Sequence, residues 1–399
     1  LIPGANPKDW RMFSDNGQPG RPNHPEDYLT ELGASSSFET GRGYWLLKRN
    51  DLGISANMAM PPLDTSNAVY RIRLRSGWNI IANPFDRNAS WSSILALNGL
   101  PSTTPLYGYE GSYQPAVILV PFRGYYFFNT TNLAELKIAY PFGTTIPAVA
   151  AREVDWELQL EYSSEINDDP ANFIGVAAAA REGLDEMESH KPPIFLDQGF
   201  LYFKRPEWDR EYDLFNTDFR PSVGEGQTWE FDVSREYGTT GTLRFDGVDG
   251  IPPEYEVVLV NGYNSTPVNL REQAEYSFTS VSTTMPFRIL VGPKGYVERQ
   301  VAAEIPKEFG LSQNFPNPFN STTSISVKLP HEAKIRLDVY SVLGRKVATL
   351  ADGDYSGGVH TFLWEGMDDR GMPVSSGVYL YRLMEGDMLL QAKKMIIAK

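Results

Sequence analysis

Three sets of side chains in this chain are of types that do chemistry. The first is acidic: "SSEINDDPANFIG" and "GLDEMESHKPP" carry Asp168, Asp169, Asp185, Glu186 and Glu188 on two loop-like segments that can meet at one end of a β-fold. A calcium ion collects about six to eight oxygens from such segments, which makes Asp168, Asp169 and Asp185 its candidate ligands and calcium the one candidate cofactor. No EF-hand spacing is present, and solvated loop charge explains the same residues. The second set is aromatic: Trp45, Trp78, Trp91, Tyr107, Tyr109, Tyr113, Tyr125 and Tyr126. An exposed row of such rings stacks on sugars, whereas a row whose members alternate across a sheet packs a core. Trp45, Trp78, Tyr109 and Tyr126 are the candidate ligand contacts. The third set is histidine, with His24, His190, His331 and His360 as its members. None has a partner at His-x-x-x-His spacing, and there is neither a Gly-x-Ser-x-Gly elbow nor a phosphate-cradling glycine loop. Carboxylate pairs such as those of "EWDREYD" need a pocket before one of them becomes a general acid. The chain reads as non-enzymatic, with any catalytic domain expected upstream of residue 1.

Composition bounds the elements that hold these groups. With 399 residues, 41% of them hydrophobic and 22% charged, the chain is long enough for several cores. It has no cysteine, which removes disulfides, thiolate metal sites and cysteine nucleophiles together. Residues 1–148 hold 12 Lys+Arg against 11 Asp+Glu, residues 149–304 hold 13 against 29, and residues 305–399 hold 11 against 10, so the net charge of -14 arises in the middle. That balance argues against a nucleic-acid partner, because phosphate binding needs clustered lysine and arginine. No window has the length of apolar sequence that a membrane-spanning helix needs. The chain starts at Leu1 without a signal-like segment and reads as a processed product or as the C-terminal portion of something longer.

Short runs of Val, Ile, Tyr and Phe, punctuated by 34 Gly and 29 Pro, predict an all-β fold of tandem β-sandwich domains. One short helix is expected in "SWSSILALNGL", between a Ser90 cap and a Gly99 stop. Residues 1–148 hold an internal repeat: Arg42-Gly43-Tyr44-Trp45-Leu46 returns as Arg123-Gly124-Tyr125-Tyr126-Phe127, each preceded by a short aromatic strand. After the linker at 141–153, residues 149–304 give seven strand patterns, the number of an immunoglobulin-like or jelly-roll sandwich. Trp229, Phe231 and Val233 face one way there, Glu230 and Asp232 the other.

Residues 305–399 open with "LSQNFPNPFNSTTSISVKLP", in which Pro316 and Pro318 hold their own φ and make a stiff entry with Phe315 and Phe319 as anchors. The "VYSVLGRKVATL" hairpin, "GVHTFLWEGMDDRGMPVSSGVYLYRL" and a lysine-rich last strand follow. In this order the motifs resemble the type A C-terminal sorting domain of the bacterial type IX secretion system, and the same tail is similar to the immunoglobulin-like domain of the flagellar hook-capping protein. The resemblance covers a quarter of the chain. Carried onto this sequence, it marks Asn317, Pro318, Phe319, Asn320, Gly344, Gly377, Lys393, Lys394 and Lys399 as sorting-motif residues and implies an immunoglobulin-like sandwich. It also implies export through the outer membrane of a Gram-negative bacterium by the type IX machinery, and a secreted or cell-surface location. The upstream segments "SGWNIIANPF" and "GRGYWL" more loosely resemble modules of secreted surface proteins, which act as spacers or adhesion units. A glycan or a surface protein is then the candidate ligand, and glycan- or protein-binding modules serving an upstream enzyme are the alternative.

Overall fold

Alternating sequence becomes strand in the computed structural model, which describes residues 10–18, 27–33, 36, 38–49, 68–141, 153–193, 198–263 and 267–398. Lys399 and most of the 141–153 linker lie outside the described residues. The fold is all-β. Two compact units divide the chain, Leu1–Ser222 and Val223–Lys399, and the division falls inside the stretch 149–304.

In the first unit each copy of the repeated motif forms one strand of an antiparallel pair. Trp45–Lys48 runs antiparallel to Trp10–Asp15 with Trp45 opposite Phe13, and Gly124–Asn129 runs antiparallel to Leu106–Tyr109 with Tyr126 opposite Tyr107. The copies meet at their own equivalent residues. Trp45 Nε1–H donates to the Tyr126 hydroxyl at 3.0 Å, and that hydroxyl donates to the Asp15 carboxylate at 2.7 Å. The motif glycines pack together against Ile80, with Gly43 N–H donating to the Ile80 carbonyl at 3.1 Å. A Cβ on Gly43 would lie 2.1 Å from Ile80 Cγ2 and 3.1 Å from Gly124 Cα, so the repeat needs glycine for close approach.

The expected helix spans Trp91–Asn98, with the Ser90 hydroxyl accepting Ser93 N–H and Gly99 at φ 65° ending it. Trp91, Ile94 and Leu95 face the core, and the Asn98 side chain exchanges two hydrogen bonds with the backbone of Lys137. A second helix, Lys294–Glu304, was not expected. Its second half, from Glu298 on, is rich in good helix formers, but Pro293 at its N-cap makes no side-chain capping bond, so the usual start signal is missing.

All seven strand patterns of the 149–304 stretch form. The alternation at Gln227–Ser234 buries Trp229, Phe231 and Val233 and leaves Glu230 exposed. The segment carrying Asp168 and Asp169 is a strand rather than a loop: Asp168–Val176 pairs antiparallel with Trp156–Ser163 and parallel with Thr217–Arg220. Aspartate and proline are depleted in strands, which is why this one reads as a loop.

Residues 310–397 form a two-sheet sandwich. One sheet has the order Gly310–Leu311, Thr323–Leu329, Gly358–Trp364; the other has Lys346–Tyr355, Ala333–Ser341, Gly377–Glu385, Met388–Ile397. Ile325, Val327 and Leu329 meet Ile335, Leu337, Val339, Tyr381, Leu383 and Met395 in its core. Tyr379, Tyr381 and Leu383 are buried while Val378 is exposed, as the alternation predicts.

Gly43→Ala is expected to destabilise the first unit by about 1–3 kcal/mol through overpacking on Ile80. Thermal unfolding of Gly43→Ala, Ile80→Ala and the double variant checks this: the double variant should be more stable than the two single losses sum to. Wild-type unfolding for Gly43→Ala would mean the two copies do not meet at this glycine.

Candidate functional site

The entry segment and the last strand meet. Proline at 316 and 318 leaves no backbone N–H at either position, and both preceding peptide bonds are cis. Phe319 then enters the core, 2% exposed, with its ring 5.7 Å from that of Trp364. Its N–H donates to the Ile396 carbonyl at 3.0 Å, and its carbonyl accepts from Ala398 N–H at 2.8 Å. Asn317 Oδ1 accepts from Ile396 N–H at 2.9 Å, and Gln313 Nε2 donates to the Lys394 carbonyl at 2.8 Å. Gln391 returns the contact, its side chain accepting from Leu311 N–H and donating to the Phe309 carbonyl. From inside the sandwich the Tyr381 hydroxyl donates to the Ser312 carbonyl and accepts from Asn314 N–H.

Phe315 does not serve as an anchor: it is 62% exposed. Its backbone pairs with Ser324 in both directions, and in that extended stretch the inward position falls to Asn314. The buried Asn314 amide donates to the Pro316 carbonyl and to Thr323 Oγ1.

Of the other tail residues named by the sequence, Gly377 and Gly344 lie at the same end of the sandwich, and Lys393 and Lys394 lie along the last strand. Gly377 lies opposite Ile397, Ser341 lies opposite Tyr379, and the hairpin turn after Ser341 holds Gly344 at φ 76°. Val342 and Leu343 are exposed at that turn, Asn320 is exposed beside Phe319, Lys394 is exposed and Lys393 half-buried. Sequence reasoning missed Gln313, Asn314 and Gln391; three amide side chains spaced against a strand edge carry no local signature.

The aromatic candidates take a different place from an exposed row. Trp78 and Tyr126 are buried, and Trp45 and Tyr109 half-buried. Their rings close edge to face: Trp45 to Tyr109 at 4.8 Å, Tyr109 to Tyr113 at 5.2 Å, Tyr113 to Tyr126 at 5.6 Å, Trp78 to Tyr126 at 5.7 Å. Burial pushes the Tyr113 and Tyr126 hydroxyls well above their ordinary pKa and the Asp15 carboxyl up to about 6. Within the same unit this cluster packs on later chain. Phe128 stacks on His190 at 3.8 Å, Tyr113 O–H donates to the Pro193 carbonyl, and Tyr109 accepts from Gln198.

The acidic candidates each accept hydrogen bonds from neighbouring groups of the fold. Asp168 is exposed and accepts from Ser163 Oγ. Asp169 is buried, with both oxygens on Lys191 Nζ at 2.6 and 2.7 Å and one also on Leu201 N–H. Asp185 accepts from the N–H groups of Arg181 and Met187. Among the described residues, no three His, Asp or Glu side chains are grouped to hold a metal ion.

Residues 312–386 match the family model of the FlgD Ig-like domain. None of the curated proteins matches the chain. Among solved structures, dimeric latent PorU from Porphyromonas gingivalis is 13% identical over 46% of this chain and 22% of that one, with a TM-score of 0.21. PorZ, a surface component of the type IX secretion system of the same organism, is 13% identical over 28% of this chain and 14% of that one, with a TM-score of 0.18. A β-glucuronidase from Ruminococcus gnavus is 8% identical over 41% of this chain and 35% of that one, with a TM-score of 0.13. The chain thus spans less than a quarter of PorU or PorZ. No helix among the described residues is long and apolar enough to cross a membrane.

Two measurements test the geometry. Asn317→Ala removes the acceptor for Ile396 N–H and should cost about 0.5–1.5 kcal/mol, with faster amide exchange at Ile396; Asn317→Asp keeps the acceptor and the protection. Unchanged exchange in Asn317→Ala would show that the side chain does not hold the edge. The second concerns Glu188, buried beside Asp185, whose N–H it accepts along with that of Phe219. Burial, then the neighbouring Asp185, raise its carboxyl to about 8. The folded state therefore holds this proton more tightly, and the stability it contributes in acid is lost as pH rises from the ordinary carboxylate range through about 8. His190 runs the other way: burial lowers it to about 4, so its contribution is lost as pH falls from the ordinary imidazole range through about 4. Glu188→Gln should gain on the wild type in chemical denaturation as pH is raised from about 5 to about 8; parallel pH profiles would refute the assignment.

Proposed function

We propose that this chain is a non-catalytic part of a secreted or cell-surface protein, in which residues 305–399 are a folded address read by type IX secretion machinery and the upstream β-domains are spacer or adhesion modules. The observation that carries this reading is the joining of the two motif segments. Asn317 and Phe319 hold the backbone of Ile396 and Ala398, so the entry motif and the last strand meet at one end of one sandwich. A compact tag with a closed edge is something a receptor can bind without the tag aggregating, which a free strand would do. The match of residues 312–386 to an Ig-like family supports the fold of the tag. The non-catalytic part of the reading is supported by the pairing of Asp218 with Arg205 and of His190 with Asp209. The packing of Trp78 and Tyr126 supports a spacer role over a sugar-binding face.

The test is export. The chain, placed behind a signal peptide in a bacterium with type IX machinery, should reach the surface or medium, and the same chain ending at Glu304 should stay in the periplasm. Equal amounts outside the cell for both would overturn the reading.

A further inference from the structure

We propose that Lys191 and Asn172 become joined by an intramolecular isopeptide bond, formed by the folded protein itself with Asp169 as its acid–base group. The three side chains are sealed from water: Asn172 is 0% exposed, Asp169 and Lys191 5% each. Lys191 Nζ lies 2.7 Å from Asn172 Oδ1 and 2.6 and 2.7 Å from the two Asp169 oxygens, so amine, amide and carboxylate are already in contact. The Asn172 amide cannot turn away, because its Nδ2 donates to the carbonyls of Leu160 and Asp169, which directs Oδ1 at the lysine. The lysine is also held from behind, since Lys191 N–H donates to the Leu214 carbonyl. Two reactants fixed in this way gain the advantage of an intramolecular reaction.

The chemistry balances without a co-reactant. Asp169 takes a proton from the Lys191 ammonium, and the neutral amine attacks Cγ of Asn172. As the new C–N bond forms and the C–Nδ2 bond breaks, protons pass through Asp169 to the departing nitrogen, which leaves as ammonium and returns Asp169 to its carboxylate. Burial favours the neutral amine, since desolvation is the main influence on Lys191 and lowers its pKa. Water, the competing nucleophile, is excluded. The product ties the strand Asp168–Val176 to the segment that follows His190, a covalent staple in a chain that has no cysteine for disulfides.

The test is the intact mass of the purified, folded full chain, denatured before measurement. It should fall below the sequence mass by one ammonia, fragmentation should yield a branched peptide joining Asn172 to Lys191, and Asp169→Ala and Asn172→Ala should have unshifted masses. A wild-type mass equal to the sequence mass after long incubation of the folded protein overturns the proposal, and this outcome does not depend on whether the variants fold. Loss of one water in place of ammonia would make Asp169 the acyl partner and overturn the assignment to Asn172. Loss of ammonia without the branched peptide would mark ring closure at an Asn-Gly step such as Asn98-Gly99, and overturn it equally.

Discussion

A strand at the margin of a sheet leaves one row of peptide groups without partners, and in the last 90 residues of this chain most of the layout follows from closing that row. Met388–Ile397 is such a margin. Its carbonyls and amides near the end are taken by Phe319, Asn317 and Gln313, and farther back its Gln391 side chain binds the backbone of Phe309 and Leu311. Each such bond adds little net stability, on the order of 1 kcal/mol. Their larger effect is to deny the edge to another chain. The stiff, proline-bearing entry is what lets amide side chains replace a neighbouring strand: it needs no ladder hydrogen bonds at Pro316 or Pro318, and it leaves Gln313 and Asn317 free to bond sideways.

In the first unit the governing cost is that of burying charge. Asp169 with Lys191, and Asp218 with Arg205 and Arg220, are ion pairs whose carboxylates are almost fully buried. Desolvation offsets most of the Coulombic gain in such pairs, so they add little to stability and act mainly by penalising any packing that separates the partners. The exposed pair of Arg11 and Glu31 carries no such penalty and contributes little either way. The same logic sets the repeat contact. Asp15 is tolerated in the interior because Tyr126 and Gly17 donate to it, and Tyr126 in turn accepts from Trp45, so one polar chain links the two copies through their equivalent aromatics.

Period-two alternation carried most of the fold: Gln227–Ser234 and Gly377–Glu385 are legible residue by residue because one face of each is buried. The helix at Trp91–Asn98 was legible through Ser90 and Gly99, and the helix at Lys294–Glu304 was not, because its start has no capping side chain. Asp168–Val176 was hidden by its own composition; what makes Asp169 acceptable in a strand is Lys191, a partner 22 residues away that no local pattern announces. The tail shows the same limit at a finer scale. The motif order pointed to Asn317 and Phe319, but which of Phe315 and Phe319 turns inward depends on pairing with Ser324 and Ile397, and that is a long-range fact.

This long-range dependence bears on what a folded address can report. Asn317 and Ile396 are 79 residues apart, and their bond joins the first segment of the sandwich to the last. Met388–Ile397 is paired to Gly377–Glu385, and that strand to Ala333–Ser341, so the bond from Asn317 closes on an edge that two earlier strands hold in register. On the proposed reading, a receptor that recognises the end where Asn317, Gly377 and the last strand converge would meet that surface only on a completed domain. Phe319 strengthens the condition, because its side chain sits in the core beside Trp364 while its backbone pairs with Ile396 and Ala398. Core packing and edge closure are therefore joined at one residue, and the surface around it depends on both.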